Sequence, residues 1–228
     1  MGTRNLILVY HNGEYKIAKY CQWDGYPEGQ GFKILKFFSD PENLPKLIAG
    51  LDKLYTPDDL ELQAVDDLMQ QVSEAARQKQ FTPEAEAMSQ EDRNILFRDA
   101  SQPGLRVCPS LARDTGAEIL SLVANAATGL PIQNELEFIA DTLFCEWAYV
   151  VDLDQGKLEV YCGHSEWQLE SDRFKQFERS PAMVGSWELE ALPDEATFCK
   201  EIKDLMNQSS AKDDEKEGKD EKAAVEVD

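Results

Sequence analysis

A chain of 228 residues with 44 acidic against 23 basic side chains carries a formal net charge of −21. Its surface therefore repels polyphosphate and anionic lipid, and neither nucleic acid nor a membrane surface is an expected partner. Hydrophobic residues at 42% and aromatics at 9% are those of an ordinary globular protein with enough chain for one sizeable core.

Cysteines 21, 108, 145, 162 and 199 include no Cys-x-x-Cys pair, and the histidines are His11 and His164 alone. A zinc knuckle, a disulfide framework and a His-rich metal centre are thereby excluded, no cofactor is implied, and reduced thiols point to the cytoplasm. The first residues lack the apolar stretch of a secretory leader, and no apolar run approaches the roughly 20 residues that span a bilayer.

Residues 4–10 and 14–20 flank His11-Asn12-Gly13, and Asn-Gly is the strongest short signal for a β-hairpin because both turn positions need positive φ. With Asn12 and Gly13 as the turn, Tyr10 is expected opposite Tyr15, Leu8 opposite Ile17 and Leu6 opposite Lys19. Apolar residues fall on both sides of the hairpin, so helices are expected to cover both faces of its sheet.

The next stretch, residues 20–31, is Tyr-Cys-Gln-Trp-Asp-Gly-Tyr-Pro-Glu-Gly-Gln-Gly. Three glycines, a proline, Trp23, Tyr26 and the polar pair Gln22 and Asp24 are a costly composition for a connection that only reverses the chain. Gly25, Gly29, Gly31 and Lys33 have some character of a phosphate cradle, but the spacing matches neither common phosphate-binding glycine motif. The expectation is a structured loop with Trp23 buried and with Gln22, Asp24 and Tyr26 presented around it.

Helical spacing follows at Phe32, Leu35 and Phe38, and then at Leu47, Ile48, Leu51, Leu54 and Tyr55 behind Pro45. Thr56-Pro57-Asp58-Asp59 predicts a third helix start, with Thr56 as N-cap and a core stripe of Val65, Leu68, Met69 and Val72. Asp58-Asp59 and Asp66-Asp67 serve the helix dipole and solubility, with a divalent cation between them a remote alternative. Residues 78–94 read as a surface excursion with two helix starts, at Thr82-Pro83 and Ser89. A helix over 114–128 buries Ile119, Leu120, Val123 and Ala126, and Gly129 with Pro131 stops it. A short helical piece lies around 135–141.

Alternation over 144–153 sets Cys145, Trp147, Tyr149, Val151 and Leu153 on one face, the turn Asp154-Gln155-Gly156 follows, and Leu158, Val160 and Cys162 return. Two hairpins predict an α+β fold with a small antiparallel sheet and helices packed on it. Residues 163–192 are aromatic but aperiodic and read as loops with a short helix or strand. A last helix behind Pro193 carries Phe198, Ile202, Leu205 and Met206. Residues 1–207 form one expected domain, and 208–228 an acidic tail with too little apolar surface to fold.

Gly2-Thr-Arg-Asn-Leu, Gly13-Glu-Tyr-Lys-Ile-Ala and Gln22-Trp-Asp-Gly-Tyr-Pro-Glu-Gly-Gln-Gly together resemble a family of uncharacterised proteins of filamentous fungi and bacteriophages. The likeness covers about the first forty residues and implies a shared loop and fold, with no activity and no catalytic residue attached to it.

Two functional classes compete. One is a small binding or interaction module that uses the 20–31 loop, through Gln22, Trp23, Asp24 and Tyr26, to hold an unknown protein or small molecule. The other is a hydrolase, either of the N-terminal-nucleophile type or one using Cys21, with Asp24 close in sequence and His164 beyond the second hairpin. The plain reading of those two residues is a buried inert thiol and a surface histidine.

Overall fold

In a computed structural model, residues 2–163 and 171–207 are described; His164, Trp167 and the whole acidic tail lie outside the described residues. The strands are β1 (Asn5–His11), β2 (Glu14–Cys21), β3 (Leu54–Tyr55), β4 (Leu130–Pro131), β5 (Trp147–Asp152), β6 (Lys157–Cys162) and β7 (Ala182–Glu188). The helices are α1 (Phe32–Phe38), α2 (Asn43–Leu51), α3 (Asp59–Gln80), α4 (Pro83–Glu86), α5 (Gln90–Ser101), α6 (Gly104–Val107), α7 (Glu118–Ala124) and α8 (195–207).

Asn12 and Gly13 turn the first hairpin with φ of 54° and 79°, and Tyr10 faces Tyr15 as the turn requires. Beyond that pair the expected register is corrected. Lys16 is an extra residue in β2, so Val9 faces Ile17, Leu8 faces Ala18, Ile7 faces Lys19 and Leu6 faces Tyr20. Because side chains alternate, the bulge moves Ile17 to the face of Ile7 and Val9, where all three are fully buried.

The α+β architecture is formed as expected, with one five-stranded sheet in the order β2-β1-β5-β6-β7 that includes both hairpins. Its pairings are antiparallel except where the hairpins meet. There β1 and β5 run parallel, Asn5 facing Trp147, because the intervening chain returns to the Asn5 end of β1 before β5 begins. β7 comes from the aperiodic stretch and adds the far edge.

Ile7, Val9, Ile17, Tyr149, Val151, Leu158 and Val160 face a core completed by α1, α2, α7 and α8, through Ile34, Leu47, Leu120 and Phe198 among others. The opposite face, with Leu6, Leu8, Ala18, Ala148, Val150 and Tyr161, is covered by the helical turn Leu136–Ala140 and by Phe174 and Phe177. Burial on both faces explains the near-continuous apolar runs in β1 and β5. Cys145 joins this second core rather than the face of Trp147, since it lies just before the pleat of β5 begins.

The helices α3, α4, α5 and α6 pack mainly on one another. The N-cap of α3 is Asp58 rather than Thr56, because the Asp58 carboxylate accepts from the Glu61 N–H while Glu61 accepts from the Asp58 N–H. Its expected core stripe is shallow: Val65, Met69 and Val72 are half-buried, Leu68 is exposed, and Ala76 alone of the helix is buried. Thr82 and Ser89 cap α4 and α5 as their residue types predict, so the stretch 78–94 is largely helical. The helix expected over 114–128 is confined to α7.

Candidate functional site

The loop begins where β2 ends, with Cys21 opposite Asn5. Its backbone carbonyls turn inward onto buried donors. The Trp23 carbonyl accepts from the Gln30 amide at 3.1 Å and from the Asn5 amide at 3.2 Å, and the Tyr149 hydroxyl donates to the Gly25 carbonyl at 2.8 Å. Gln30, 1% exposed, also accepts from the Ala117 N–H at 2.8 Å, tying the loop to the start of α7. Gly25 N–H donates to the Thr3 carbonyl, Gln30 N–H to the Asp24 carbonyl, and Gln22 N–H to the Arg113 carbonyl.

Two local conformations make this knot possible. Asp24 adopts φ of 55°, a left-handed value that Asp tolerates better than most residues. The chain then closes through a turn of π-helix, Pro27–Gly31, in which Gly29 passes so near the Asp24 carbonyl that a Cβ there would overlap it.

With these carbonyls inward, the side chains of Trp23, Asp24 and Tyr26 point out. Trp23 is 41% and Tyr26 42% exposed, and Asp24 is exposed between them. Trp23 is therefore not the buried plug expected from its type; the interior of the loop is filled by Gln30, Asn5 and the Tyr149 hydroxyl instead. The Tyr26 hydroxyl reaches the Asp24 carboxylate at 3.4 Å, and Tyr20 donates to the Gln22 amide oxygen at 2.6 Å, which holds Gln22 at the rim. Gln22, Trp23, Asp24 and Tyr26 are thus brought together on one short exposed arc.

Cys21 is fully buried beneath this arc, and burial pushes its thiol above the ordinary cysteine range. Its sulfur contacts the Gln30 amide and the Trp23 carbonyl. His11 lies at the other end of the hairpin, beside Asp154. His164, the other candidate, lies outside the described residues.

A second polar centre, which the sequence reading missed, sits on the opposite sheet face at the Tyr10 end of β1. Arg173 donates from Nε and Nη2 to Glu159 at 2.5 and 2.9 Å, and from Nη2 to Asp152. Asp152 is fully buried and also accepts from the backbone N–H groups of Asp154 and Gln155. Tyr161 donates to Glu159 at 2.7 Å, and the guanidinium lies over the Tyr10 ring. Burial pushes the Tyr15 phenol up to about 12, opposed by its hydrogen bond to Arg173. The signal for this centre was available: Asp152 and Glu159 interrupt apolar strands at inward positions, and a buried carboxylate demands a cationic partner. What could not be read was that Arg173 supplies it.

Among the described residues no group of three or more His, Cys, Asp or Glu side chains could hold a metal ion, and no helix is long and apolar enough to cross a membrane. No family model, no curated protein and no solved structure matches the chain.

Proposed function

We propose that this protein is a recognition module that engages a protein or small-molecule partner through Gln22, Trp23, Asp24 and Tyr26. One observation carries the reading: two large rings and a carboxylate are exposed on a backbone whose inward groups are engaged by buried donors. Aromatic side chains held out on a rigid loop bind at low entropic cost, because little remains to be ordered when the partner arrives. A loop that merely reversed the chain would need neither the rings nor the knot beneath them. The cysteine thiols, with no disulfide at Cys21, Cys108, Cys145 or Cys199, are in keeping with a reducing compartment such as the cytoplasm.

The test is affinity capture from cell lysate with wild type beside Trp23→Ala and Asp24→Ala, followed by identification of captured proteins and small molecules. Loss of a specific partner in both variants, with folding retained, is expected. Identical captured material would remove the loop from the functional account. The hydrolase alternative would need a thiolate at Cys21, which burial opposes; rapid alkylation of Cys21 in the folded protein, ahead of the partly exposed Cys108, would revive it.

A further inference from the structure

We propose that the cavity over Arg173 binds an uncharged, polyhydroxylated small molecule of sugar-like chemistry, at a site separate from the 20–31 loop. The cavity has a volume of about 750 Å³ and runs across the sheet from Glu14 and Tyr15 at the β1–β2 turn to Ser186 on β7. That is the size of an ordinary small-molecule site, roughly 300–1,000 Å³.

The charges around it decide the class of ligand. Arg173, 8% exposed, has its donors directed at Asp152 and Glu159, so its charge is neutralised within the wall. Glu14 pairs with Lys16, Asp172 with Lys175, and Lys157 lies 4.0 Å from Glu188. Each charged side chain of the lining thus lies beside one of opposite sign, with Asp152 and Glu159 sharing Arg173 and accepting further hydrogen bonds from Tyr161 and from the Asp154 and Gln155 N–H groups. An anion would find no free guanidinium, and a cation would have to compete for carboxylate oxygens that already accept from Arg173, Tyr161 and backbone N–H groups.

What the lining does offer is uncharged. The Tyr10 hydroxyl, the Gln176 amide and the Ser186 hydroxyl border the cavity and make no hydrogen bond among the described residues. The Tyr10 and Tyr15 rings stand edge to face at 5.0 Å between centroids and, with Met183, form its main apolar surface. Hydroxyls and an amide supply both donors and acceptors, as a ring of alternating hydroxyl groups requires. The floor is preorganised, because Asp152, Glu159, Arg173 and Tyr161 hold one another in place. A predominantly apolar ligand would leave these polar groups unpaired.

The experiment is a two-dimensional NMR titration of the full ¹⁵N-labelled chain with D-glucose, D-galactose, D-mannose, N-acetyl-D-glucosamine and maltose, with inorganic phosphate and spermidine as charged controls. At least one sugar is expected to give saturable shifts at Gly13, Gln155 and Gln176. The double variant Gln176→Ala, Ser186→Ala should weaken that binding by at least about tenfold while its melting curve stays that of the wild type. Saturable shifts with none of the sugars, shifts that map away from the cavity, an unaffected double variant, or displacement of the sugar by phosphate or spermidine would each overturn the proposal.

Discussion

At the Asn5 end of β1 irregular chain is fastened to the sheet by neutral amides and a phenol, and at the Tyr10 end it is fastened by ions. The first knot grips backbone: Gln30, Asn5 and Tyr149 take the carbonyls of Trp23 and Gly25, which frees Trp23, Asp24 and Tyr26 to face outward. The second grips a side chain: Arg173 reaches in to Asp152 and Glu159, and what remains around it is a cavity wall. The contrast explains why one end displays a surface and the other encloses a space. It also makes the two ends respond differently to mutation and to pH.

The largest expected effect separates the ions from the amides. Arg173→Met should cost about 3–5 kcal/mol in denaturant unfolding, because it strands two buried carboxylates, and adding Asp152→Asn and Glu159→Gln should recover most of the loss. A cost below about 1 kcal/mol would erase the distinction between the ends. Gln30→Ala comes next, at about 2–3 kcal/mol, since it orphans both the Ala117 N–H and one bond to the Trp23 carbonyl. Tyr149→Phe should cost about 1–2 kcal/mol by leaving the Gly25 carbonyl unpaired.

Alkaline titration probes both ends at once. Burial raises the phenols of Tyr149 and Tyr161 and takes Tyr15 to about 12, so each is protonated in the fold where the unfolded chain would ionise. A raised value means that this stability is intact below the unfolded phenol value of about 10 and is lost as pH rises through the folded one. Tyrosinate absorbance should therefore grow in two stages, the later one coincident with loss of circular dichroism from about pH 10 to 12. A single early stage with the fold intact would place these rings in water.

The smallest expected effect on stability carries the most functional weight. Trp23→Ala and Tyr26→Ala should each change unfolding free energy by less than about 1 kcal/mol, since both rings are substantially exposed, while abolishing partner capture. A drop of several kcal/mol for Trp23→Ala would return the indole to a structural role.

Much of this was legible from local chemistry. Asn12-Gly13 announces its turn, Thr82 and Ser89 announce their helices, and the stripe of Phe198, Ile202 and Met206 gives the last one. Where two local signals compete, the sequence is less decisive: Thr56 and Asp58 are both good caps, and the reciprocal bond from Glu61 selects Asp58. The parallel union of β1 with β5 is set by contacts distant in the chain, which no window of residues contains, and the bulge at Lys16 is matched to the burial of Ile17 in a core that the same distant elements complete. β7 escapes because Ala-Met-Val-Gly-Ser-Trp-Glu has no clean alternation, and its register itself shifts between Val160 and Tyr161 of its neighbour. The special composition of the 20–31 loop was visible, but not which of its groups faces inward, because that depends on Gln30, Asn5 and Tyr149 competing successfully with Trp23 for the interior.

The parallel seam between β1 and β5 has a consequence for how the protein comes into being. As the chain leaves the ribosome, the first hairpin can close within microseconds, yet the strand that completes β1 is made only after all the chain from Gln22 to Glu146, on the order of ten seconds later. Throughout that wait the free edge of β1, with Leu6, Ile7, Leu8 and Val9, is an open template for another strand. A nascent chain of this design calls for shelter by a holding chaperone early in synthesis, and its yield should fall when translation is slowed between residues 22 and 146.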